Sequence, residues 1–501
     1  MKELKVRVEN TWSRAAGEPP ELRRLLDQMH AVEVPGAGEI KRYHAKHVKA
    51  KRKEKSCILC RSPGWDLKKH FVTQAGAIPT GLLVDAATMF AEEGHVLKLL
   101  DRREKPEGHP REYGVTLRDD QRALANRVMA AHAGTIEAAT AFGKTVLNVA
   151  LSAELGVPTL IVVPAKELVK QYVERFEEHG GITPNRWSGA PPWEIGEVNV
   201  STLALLSKHV KGVAKATEDI DFLIIDEAHH CKSRSWYKTI MRIDAYYRLA
   251  QTGTLPLDDD FEWMHIQSCA GPLLGSVTAT ELTEQEALAE TRVFMLPSGV
   301  GGEGGRLKHF TEEYRRDIVN CEPRNAYVEE VMRGCVDLEM RALVLCKWGE
   351  HVHGLDDRCI DIEERVDWIV ADEMSHGEVS KRRHKLDIGE TEVLVATTLF
   401  DEGLDVPNLD LLIMAGGGEA EGRTKQRMGR VRRLGRTGRA AIIDFTDDHH
   451  RHLRRHSETR RQWYEDEGCT VEDVMLPAER VPELMEEISH WLRTGEMHLR
   501  P

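Results

Sequence analysis

The stretch Ala139-Thr-Ala-Phe-Gly-Lys-Thr145 decides the fold of this chain, because its small residues, lysine and threonine form the pattern of a phosphate-binding loop. In such a loop the backbone N–H groups close around phosphate oxygens, the lysine adds a positive charge, and the hydroxyl offers a ligand to Mg²⁺. The residues that follow predict a helix over 143–150, whose N-terminus and dipole face the bound anion. We therefore expect a nucleotide site here, with these ligands: Thr140, Gly143, Lys144 and Thr145.

A second segment, Phe222-Leu-Ile-Ile-Asp-Glu-Ala-His229, is a run of apolar residues that ends in two adjacent carboxylates. The run predicts a buried strand of a parallel sheet. Asp226 can hold the water shell of a metal, and Glu227 can polarise an attacking water. Each segment alone has chance matches, but both together, in this order, predict a site that binds ATP and Mg²⁺. Thr145 and Asp226 are the expected metal ligands.

The composition is that of an ordinary globular protein, with 501 residues, 41% of them hydrophobic and 30% charged. This length predicts two to four domains. No apolar run is long enough to span a bilayer, and the first residues lack the apolar core of a signal peptide, so we expect no membrane association. Nine scattered cysteines are typical of free thiols in a reducing compartment. The expected location is the cytoplasm of a bacterium or of a phage-infected cell.

The net charge of −13 argues against a protein that simply coats nucleic acid, but two segments are strongly basic. Residues 41–55 contain eight Lys or Arg and one acid, and residues 423–439 contain eight Lys or Arg and no acid. A basic stretch is usually a solvated face, yet two dense ones on an acidic protein predict local contacts with a polyanion. From the first segment we select four candidate nucleic-acid contacts: Lys49, Lys51, Arg52 and Lys53.

Short apolar runs alternate with amphipathic stretches on both sides of a glycine-rich segment at 298–305. The predicted strands lie at 159–164, 222–225, 341–346, 392–396, 411–414 and 440–444. This alternation is typical of doubly wound parallel sheets, whose sites lie at the carboxyl ends of the strands. The predicted fold class is α/β, with a small N-terminal α+β domain at 1–112, α/β domains at 113–295 and 296–448, and a helical C-terminal tail at 449–501. The glycine-rich linker stands at the start of the second α/β domain.

Together these segments resemble the motifs of the superfamily 2 helicases and translocases, over about residues 115 to 445. The resemblance implies that both α/β domains are RecA-like. Leu117-Arg-Asp-Asp-Gln121 matches the segment that recognises adenine, which implies Arg118 and Gln121 as nucleotide contacts. Two segments, 163–168 and 200–203, match those that contact the nucleic-acid backbone, which implies these contact residues: Pro164, Lys166 and Thr202.

The later motifs imply coupling and catalytic residues by the same resemblance. Gln251-Thr-Gly-Thr-Leu-Pro256 matches the threonine motif that couples hydrolysis to domain movement, and the implied coupling residues are His229, Thr252, Thr254 and Gln426. Residues 395–407 match motif V, which implies Thr397 as a nucleic-acid contact and Gly403 and Asp405 as nucleotide contacts. Gln426-Arg-Met-Gly-Arg-Val-Arg-Arg433 matches the arginine-finger motif. The implied catalytic set is Lys144, Asp226, Glu227, Arg430 and Arg433.

Two segments ahead of the phosphate loop resemble the small N-terminal domain of phage UvsW-type helicases. They are Gly64-Trp-Asp-Leu-Lys-Lys-His-Phe71 and Ile78-Pro-Thr-Gly-Leu-Leu83. In those helicases the first segment reads Trp-Asp-Gly, and here Leu67 stands in place of the glycine, which questions the geometry of the turn. The resemblance implies that this domain engages duplex or branched DNA.

Cys57-Ile-Leu-Cys60, with His44 and His47 upstream, has the residue types of a zinc site. A single Cys-x-x-Cys preceded by a histidine pair matches no common zinc motif. Zinc ligands and reduced structural thiols both remain open, and the sequence favours the thiols. We expect His230, the extra histidine after the second motif, to be a surface or packing residue.

The resemblance implies an ATP-dependent DNA helicase or translocase that unwinds or branch-migrates forks, Holliday junctions or R-loops in recombination, replication and repair. The threonine and arginine motifs resemble those of the DNA-directed branches more than the RNA-directed DEAD-box branch. Two alternatives stay open: an RNA helicase or RNA–protein remodeller, and a catalytically silent, nucleotide-gated scaffold. The expected partners are branched or duplex DNA, single-stranded DNA and the RNA of an R-loop. We expect a monomer, and the sequence indicates no protein partner.

Overall fold

The structure of the protein is a computed structural model. It describes residues 2–16, 20–49, 57–62, 66–139, 142–285, 288–298, 310–370, 373–397, 409–418, 432, 437–447 and 451–497. These residues divide into two compact units, one with residues 1–138 and 144–276 and the other with residues 139–143 and 277–501. No helix among the described residues has the length and apolar character needed to cross a membrane.

The N-terminal region is a small mixed sheet covered by helices, as the α+β prediction requires. Its main sheet has the strand order β5-β2-β1-β6, in which β1 runs antiparallel to β2 and parallel to β6. The strands are β1 Glu3–Val8, β2 Trp12–Ala16, β3 Ala31–Glu33, β4 Lys68–His70, β5 Ala77–Pro79 and β6 Val96–Asp101. The helices are Pro20–Met29, Ala37–Lys49, Ile58–Arg61 and Leu83–Glu92, with a 3₁₀ turn at Thr80–Leu82. Alternate residues of β1 are buried, which is the two-residue period of a half-buried strand.

The first α/β domain is built on a seven-stranded sheet of order β13-β7-β12-β11-β8-β10-β9. The strand pairs from β7 through β12, β11 and β8 to β10 are parallel. The strands are β7 Ala133–Ala138, β8 Thr159–Val163, β9 Asn185–Arg186, β10 Val198–Thr202, β11 Phe222–Ile225, β12 Tyr247–Thr252 and β13 Leu273–Val277. The helices are Asp119–Ala131, Lys144–Leu155, Lys166–Gly180, Leu203–Lys208, Val210–Ala216, Arg234–Ile240 and Asp260–Ala270, with a 3₁₀ helix at Ala228–Lys232. The predicted strands at 159–164 and 222–225 are confirmed.

The N-terminal region and the first α/β domain share one hydrophobic core. Buried polar contacts also join them. Thr11 Oγ1 donates a hydrogen bond to the carbonyl of Ile243 at 3.0 Å, and Arg248 Nη1 donates to Thr11 Oγ1 at 3.2 Å. Trp12 Nε1 donates to the carbonyl of Met241 at 3.2 Å. These buried contacts fix the N-terminal sheet to the first α/β domain.

The second α/β domain is built on another seven-stranded sheet, of order β16-β17-β15-β18-β19-β14-β20, with parallel pairs throughout. The strands are β14 Glu290–Pro297, β15 Ala342–Cys346, β16 Val366–Ile369, β17 Val393–Thr397, β18 Leu411–Ile413, β19 Arg439–Thr446 and β20 Thr470–Asp473. The α-helices are Ala279–Glu284, Phe310–Tyr314, Glu322–Asp337, Gly349–Arg358, His376–Ile388, Arg451–Asp466 and Val481–Thr494. A π-helix at Arg315–Val319 and 3₁₀ helices at Ile360–Arg365 and Ala478–Arg480 complete the domain. Hydrophobic clusters cover both faces of the sheet, which confirms the tandem RecA-like fold class.

Two predicted boundaries need correction. The first α/β domain was predicted to end at residue 295, but residues 290–297 form strand β14, and all eight of them pair in register with β19 of the second sheet. The boundary predicted at 296 therefore cuts through a strand, and the second domain begins before Glu290. The C-terminal tail, predicted to be helical, also contributes the edge strand β20, which pairs with β14.

The tail packs on the second domain through a buried ion pair. Arg460 and Asp444 are both fully buried, and Arg460 donates to the two carboxylate oxygens at 2.7 and 2.9 Å. Tyr464 donates a further hydrogen bond to Asp444 at 2.8 Å. The helix Arg451–Asp466 is therefore tied to the end of β19.

Candidate nucleotide and nucleic-acid site

Five neighbouring strands of the first sheet end at one edge, and each is followed by one of the predicted motifs. In spatial order these strands are β7, β12, β11, β8 and β10. The residues that follow or end them are Lys144, Thr252, Asp226, Pro164 and Thr202, respectively. The carboxyl edge of a parallel sheet is where ligands bind in doubly wound folds. The nucleotide motifs share one part of this edge, and the predicted backbone-contact motifs share the other.

The phosphate loop connects β7 to the helix Lys144–Leu155, as predicted. Gly143 has φ +90°, a left-handed conformation that glycine adopts without steric cost. Lys144 Nζ donates to the carbonyl of Ala138 at 3.0 Å, and Thr145 follows in the first helical turn. Phe142 is fully buried. Thr140 lies outside the described residues.

Asp226 follows β11 directly and is almost completely buried. Its Oδ1 accepts a hydrogen bond from the backbone N of Glu227 at 3.0 Å, and its Oδ2 accepts one from the hydroxyl of Tyr172 at 2.9 Å. Glu227 has φ +51°, a left-handed conformation that costs a residue with a side chain about 1–3 kcal/mol. Such strain is concentrated at functional sites, and here it falls on the residue predicted to handle the attacking water.

The two carboxylates differ in their proton affinity. Burial raises the pKa of Asp226 to about 6, and the neighbouring charge of Glu227 adds to this rise. Burial also opposes ionisation of Glu227, but the hydrogen bond from His229 and the charge of Lys144 lower its pKa to about 2. Burial and the charge of Asp226 raise the pKa of Tyr172, so its hydroxyl keeps its proton and donates. Glu227 therefore ionises at a lower pH than Asp226, and both are carboxylates at physiological pH.

His229 connects the hydrolytic motif to the threonine motif. Its Nδ1 lies 3.3 Å from Oε2 of Glu227 and 3.3 Å from Oγ1 of Thr252. Thr252 Oγ1 in turn donates to the carbonyl of Thr254 at 3.1 Å. One ring nitrogen of His229 thus lies within hydrogen-bond distance of both Glu227 and Thr252. This nitrogen carries at most one proton, so it donates to one of the two oxygens at a time. The three described residues predicted to couple hydrolysis to movement therefore lie in one contiguous group beside Glu227.

His230 is not part of that group. Its ring lies 4.2 Å from the ring of His229 and 4.8 Å from that of Trp236, between centroids. Burial lowers its pKa to about 4, so it is neutral at physiological pH. These contacts are those of a packing residue, as predicted.

Two buried residues behind Asp226, Tyr172 and Asn148, are not among those that the sequence motifs singled out, and they contact Gln251 of the threonine motif. Asn148 Nδ2 donates to the hydroxyl of Tyr172 at 3.1 Å and to Oε1 of Gln251 at 3.0 Å. Gln251 Nε2 donates back to Asn148 Oδ1 at 2.6 Å. A signal for Asn148 was available, since it is a polar residue one turn after Lys144 on a mostly apolar helix. Tyr172 gave no such signal.

Glu137, near the end of β7, is another residue that the sequence did not single out. Its Oε1 accepts a hydrogen bond from the backbone N of Leu255 at 3.0 Å, and its Oε2 accepts one from Ser276 Oγ at 2.7 Å. Leu255 belongs to the predicted threonine motif. Glu137 therefore joins the strand that carries the phosphate loop to the segment after β12.

The donor set at this edge suits Mg²⁺ and a nucleoside triphosphate. Hydroxyl and carboxylate oxygens, here those of Thr145 and Asp226, are the protein ligands that Mg²⁺ prefers. Lys144 stands at the start of a helix whose free N–H groups favour an anion. The residues present therefore fit the predicted pair of nucleotide and metal.

Gln121, predicted to contact adenine, is buried at the start of the helix Asp119–Ala131. Its Oε1 accepts a hydrogen bond from the backbone N of Arg118 at 3.0 Å, which caps the helix. Arg118 pairs with Asp120 at 3.0 Å. The role of Gln121 and Arg118 in nucleotide binding stays a prediction.

The predicted backbone contacts lie on neighbouring strands. Pro164 and the exposed Lys166 follow β8, and Thr202 ends β10 directly beside Val163. Thr202 Oγ1 accepts a hydrogen bond from the backbone N of Leu205 at 3.3 Å and so caps the next helix. The structure thus brings together two motifs that are distant in sequence.

In the second α/β domain, Thr397 ends β17 and is mostly buried. The remaining predicted residues lie beyond the part of the chain that the structure describes: Lys51, Arg52, Lys53, Gly403, Asp405, Gln426, Arg430 and Arg433. Lys49 ends a described helix. Their predicted roles stay predictions.

Leu67, which replaces the family glycine, resolves the question about the turn. It adopts φ +63° and is almost completely buried, so a leucine takes the left-handed conformation that glycine prefers. Its carbonyl accepts a hydrogen bond from the backbone N of Val34 at 2.9 Å. The turn geometry is therefore kept despite the substitution.

The two N-terminal segments dock on the first α/β domain. The ring of Phe71 meets those of Tyr237 and His265 edge-on, with centroids 6.1 and 4.9 Å apart. Gly81 lies so close to the helix Asp260–Ala270 that an added Cβ would stand 2.0 Å from the carbonyl oxygen of Gln267. The described residues of these segments thus pack against the first α/β domain. Their predicted engagement of DNA stays a prediction.

Fold and site together define a nucleotide-binding protein with two tandem RecA-like domains. A model of the Type III restriction enzyme res subunit family matches residues 114–257, and a model of the helicase conserved C-terminal domain matches residues 325–435. The chain belongs to the superfamily 2 helicases and translocases, as its motifs predicted.

Curated relatives agree with this assignment. The chain is 24% identical over 355 residues to the "Putative DNA 3'-5' helicase Rad25" of Haloarcula marismortui, covering 68% of this chain and 55% of that protein. It is 25% identical over 359 residues to the "DNA 3'-5' translocase XPB2" of Sulfurisphaera tokodaii, covering 64% of this chain and 79% of that one. The crystal structure of T4 UvsW aligns with 95% of this chain at 16% identity and a TM-score of 0.44, over 100% of its own length. The chain thus spans about half the length of the first of these relatives.

Proposed function

We propose that this protein is an ATP-driven DNA helicase or translocase that acts on branched DNA. The observation that carries the proposal is the position of His229, whose Nδ1 lies 3.3 Å from both Oε2 of Glu227 and Oγ1 of Thr252. His229 thereby links Glu227, the carboxylate suited to activate water, to the threonine motif, which is suited to transmit the effect of hydrolysis. A binding scaffold without hydrolysis has no use for such a link.

In the proposed mechanism, Glu227 accepts a hydrogen bond from the attacking water and orients it toward the γ-phosphate. Lys144 and the N-terminus of its helix bind the β- and γ-phosphates. Asp226 and Thr145 hold Mg²⁺, which when bound supplies positive charge against the phosphate oxygens. Tyr172 fixes the carboxylate of Asp226 through its hydroxyl.

Hydrolysis is coupled to movement in two ways. His229 contacts both Glu227 and Thr252, so a change at the γ-phosphate is passed to the loop after β12. Arg430 and Arg433 are proposed to complete the site from the second α/β domain, which makes hydrolysis depend on closure. Gln426 is proposed to act with them, and Gly403 and Asp405 to contact the nucleotide.

In the proposal, the protein binds nucleic acid through the phosphates of its backbone. Pro164, Lys166 and Thr202 share one edge of the first sheet, and Thr397 ends a strand of the second. Backbone contacts of this kind carry no sequence information, which suits a motor that moves along any sequence. The names of both curated relatives specify DNA and a 3'-5' polarity. We extend both properties to this chain as part of the proposal.

Branched DNA is proposed as the substrate because of the region ahead of the motor. That region shares a core with the first α/β domain and carries the basic segment 41–55. A basic segment in a region that shares the core of the motor domain can hold one arm of a fork while the motor moves along another. The proposed substrates are forks, Holliday junctions and R-loops, and the proposed processes are recombination, replication and repair.

ATP hydrolysis by two variants tests the proposal. Glu227→Gln is expected to lower the DNA-stimulated kcat by about 100-fold or more, because the general base is removed while its size is kept. Lys144→Ala is expected to abolish hydrolysis as well, through weaker phosphate binding. Glu178→Gln, at an exposed residue of the first unit, is the matched control and should hydrolyse ATP normally.

The same assay separates DNA from RNA as the polymer. Forked DNA, a Holliday junction, single-stranded DNA and RNA are compared at equal nucleotide concentration, and branched DNA is expected to stimulate most. Preferential stimulation by RNA would instead support an RNA remodeller. Equal rates for Glu227→Gln and the wild type would contradict the proposed chemistry.

A further inference from the structure

A cluster of three metal-ligating side chains lies in the N-terminal region, away from the nucleotide site. Nδ1 of His44 is 3.4 Å from Sγ of Cys57 and 3.5 Å from Sγ of Cys60. All three ligand atoms lie within 4.8 Å of one another. His44 belongs to the helix Ala37–Lys49, and the two cysteines flank the first turn of the helix Ile58–Arg61. Among the residues that the structure describes, this is the one group with such an arrangement.

The distances match those of a tetrahedral zinc site. With Zn–S of about 2.3 Å and Zn–N of about 2.1 Å, ligand atoms on a tetrahedron are separated by about 3.6–3.8 Å. The two nitrogen–sulfur distances in the cluster are only slightly shorter. Two thiols that converge on one imidazole nitrogen can therefore close around an ion with little movement of the backbone.

Few of the described side chains around His44 are buried in the protein core. Ala37 is the only buried residue among those described between 37 and 45, and most of the others are exposed. Cys57, by contrast, is 1% exposed. A segment that cannot bury enough apolar surface is commonly held by a structural metal, whose binding free energy becomes folding free energy.

We propose that His44, Cys57 and Cys60 bind a structural zinc ion, whose fourth position is left to a further ligand. The two thiols come from one Cys-x-x-Cys segment, and the imidazole comes from the helix before it. A mixed thiolate and imidazole set favours zinc over Mg²⁺ or Ca²⁺. The cysteines are thereby ligands, in place of the reduced structural thiols that the sequence favoured.

The ion would join both ends of a basic stretch of the sequence. Residues 45–56 lie between His44 and Cys57, and six of these twelve residues are Lys or Arg. A link between the two ends limits the volume in which this charge lies and so lowers the entropic cost of binding it to phosphates. This role rests on the proposed function, whereas the metal site itself does not.

Metal content of the purified full-length protein tests the site. Native mass spectrometry and elemental analysis are expected to find one zinc per wild-type chain. Loss of the bound zinc is expected in each of three variants: His44→Ala, Cys57→Ser and Cys60→Ser. Cys321→Ser is the matched control, since this thiol lies in the second unit beside the carbonyl of Ser298, and it should keep its zinc. Substitution by Co²⁺ should give the visible bands of a tetrahedral thiolate site.

Wild-type protein that contains no zinc and takes up neither Zn²⁺ nor Co²⁺ would overturn the proposal. A Cys57–Cys60 disulfide in protein purified without oxygen would overturn it too.

DNA binding by the zinc-free variants tests the role of the basic stretch separately. The slope of log binding constant against log salt is expected to fall by about 0.9 for each duplex phosphate that the variant no longer neutralises. An unchanged slope with loss of zinc would overturn the role in DNA binding and leave the metal site in place. A protein with zinc but no DNA-stimulated ATPase would contradict the proposed function alone.

Discussion

Tyr172 holds the carboxylate that ends strand β11, from a helix remote in sequence from both hydrolytic motifs. Its hydroxyl donates to Asp226 and accepts from Asn148, and Asn148 exchanges two hydrogen bonds with Gln251. All four side chains are buried. The position of the predicted metal ligand therefore depends on a polar network behind the site.

Tyr172→Phe tests this network. The variant removes one hydrogen bond to a buried carboxylate, so kcat for ATP hydrolysis is expected to fall several-fold. The free energy of unfolding is expected to fall by about 1–3 kcal/mol. Tyr327→Phe is the matched control, because it removes a hydroxyl that donates to the carbonyl of Leu476 in the second unit. Steady-state kinetics and urea unfolding measure both effects, and unchanged kinetics in Tyr172→Phe would refute a positioning role.

Some residues of the site belong to sequence motifs and could be predicted, whereas others lie outside these motifs. Lys144, Asp226 and Glu227 could be predicted because phosphate and metal chemistry restricts residue type and spacing. Tyr172 and Glu137 could not, since a buried hydrogen-bond partner is defined by three-dimensional proximity and many residue types can fill it. Asn148 gave a signal as a polar residue on a mostly apolar helix, but its partners could not be predicted. The left-handed conformation of Leu67 was equally beyond prediction, because leucine rarely adopts it.

At the scale of elements, the 3₁₀ turn Thr80–Leu82 packs closely against the helix Asp260–Ala270, with no space for a side chain at Gly81. A Cβ on Gly81 would lie 2.0 Å from the carbonyl oxygen of Gln267 and 2.8 Å from the backbone N of Gly271. Both neighbouring atoms belong to the backbone, so no side-chain rotation can relieve the overlap. The N-terminal region therefore docks where only glycine fits.

Gly81→Ala is expected to destabilise the protein by about 1–3 kcal/mol, the range of overpacking in a well-packed interior. Gly38→Ala is the matched control, since an added Cβ there meets nothing within 4 Å and the residue lies in a helix. That control should be neutral or stabilise by up to about 1 kcal/mol. Thermal melts of both variants provide the comparison, and a neutral Gly81→Ala would contradict the close docking.

Strands could be predicted where the sequence contains an apolar run with clear ends. The runs at 159–164, 222–225, 341–346, 392–396, 411–414 and 440–444 all overlap strands of the two sheets. Residues 290–295, which were not predicted as a strand, were placed in the first α/β domain because the local sequence gives no information about the partner of β14. That partner, β19, lies more than a hundred residues away in sequence.

At the scale of the whole molecule, the arginine motif 426–433 is where the two α/β domains are proposed to cooperate. Arg432, in the middle of the motif, is buried, and it donates to the carbonyl of Glu467 at 3.0 Å and to Thr283 Oγ1 at 2.9 Å. Arg432 is therefore a structural residue of the second domain. Its neighbours Arg430 and Arg433 carry the proposed catalytic role.

Arginine-to-alanine substitutions along this motif should separate the two roles. Arg430→Ala and Arg433→Ala are expected to keep the wild-type melting temperature and lower DNA-stimulated kcat by about 1,000-fold, as for other arginine fingers. Arg432→Ala is expected to lower the melting temperature, because Glu467 and Thr283 would be left without a buried hydrogen-bond donor. Normal kcat in both Arg430→Ala and Arg433→Ala would rule out the cooperation of the two domains.

The central claim is that the protein moves along DNA. Displacement of a third strand bound to duplex DNA measures this movement directly, because the two strands of the duplex need not separate. We predict that wild-type protein with ATP displaces the third strand and branch-migrates a synthetic Holliday junction. Neither reaction should occur with a non-hydrolysable analogue or with Glu227→Gln. Robust DNA-stimulated ATP hydrolysis without displacement on any duplex or branched substrate would contradict the account.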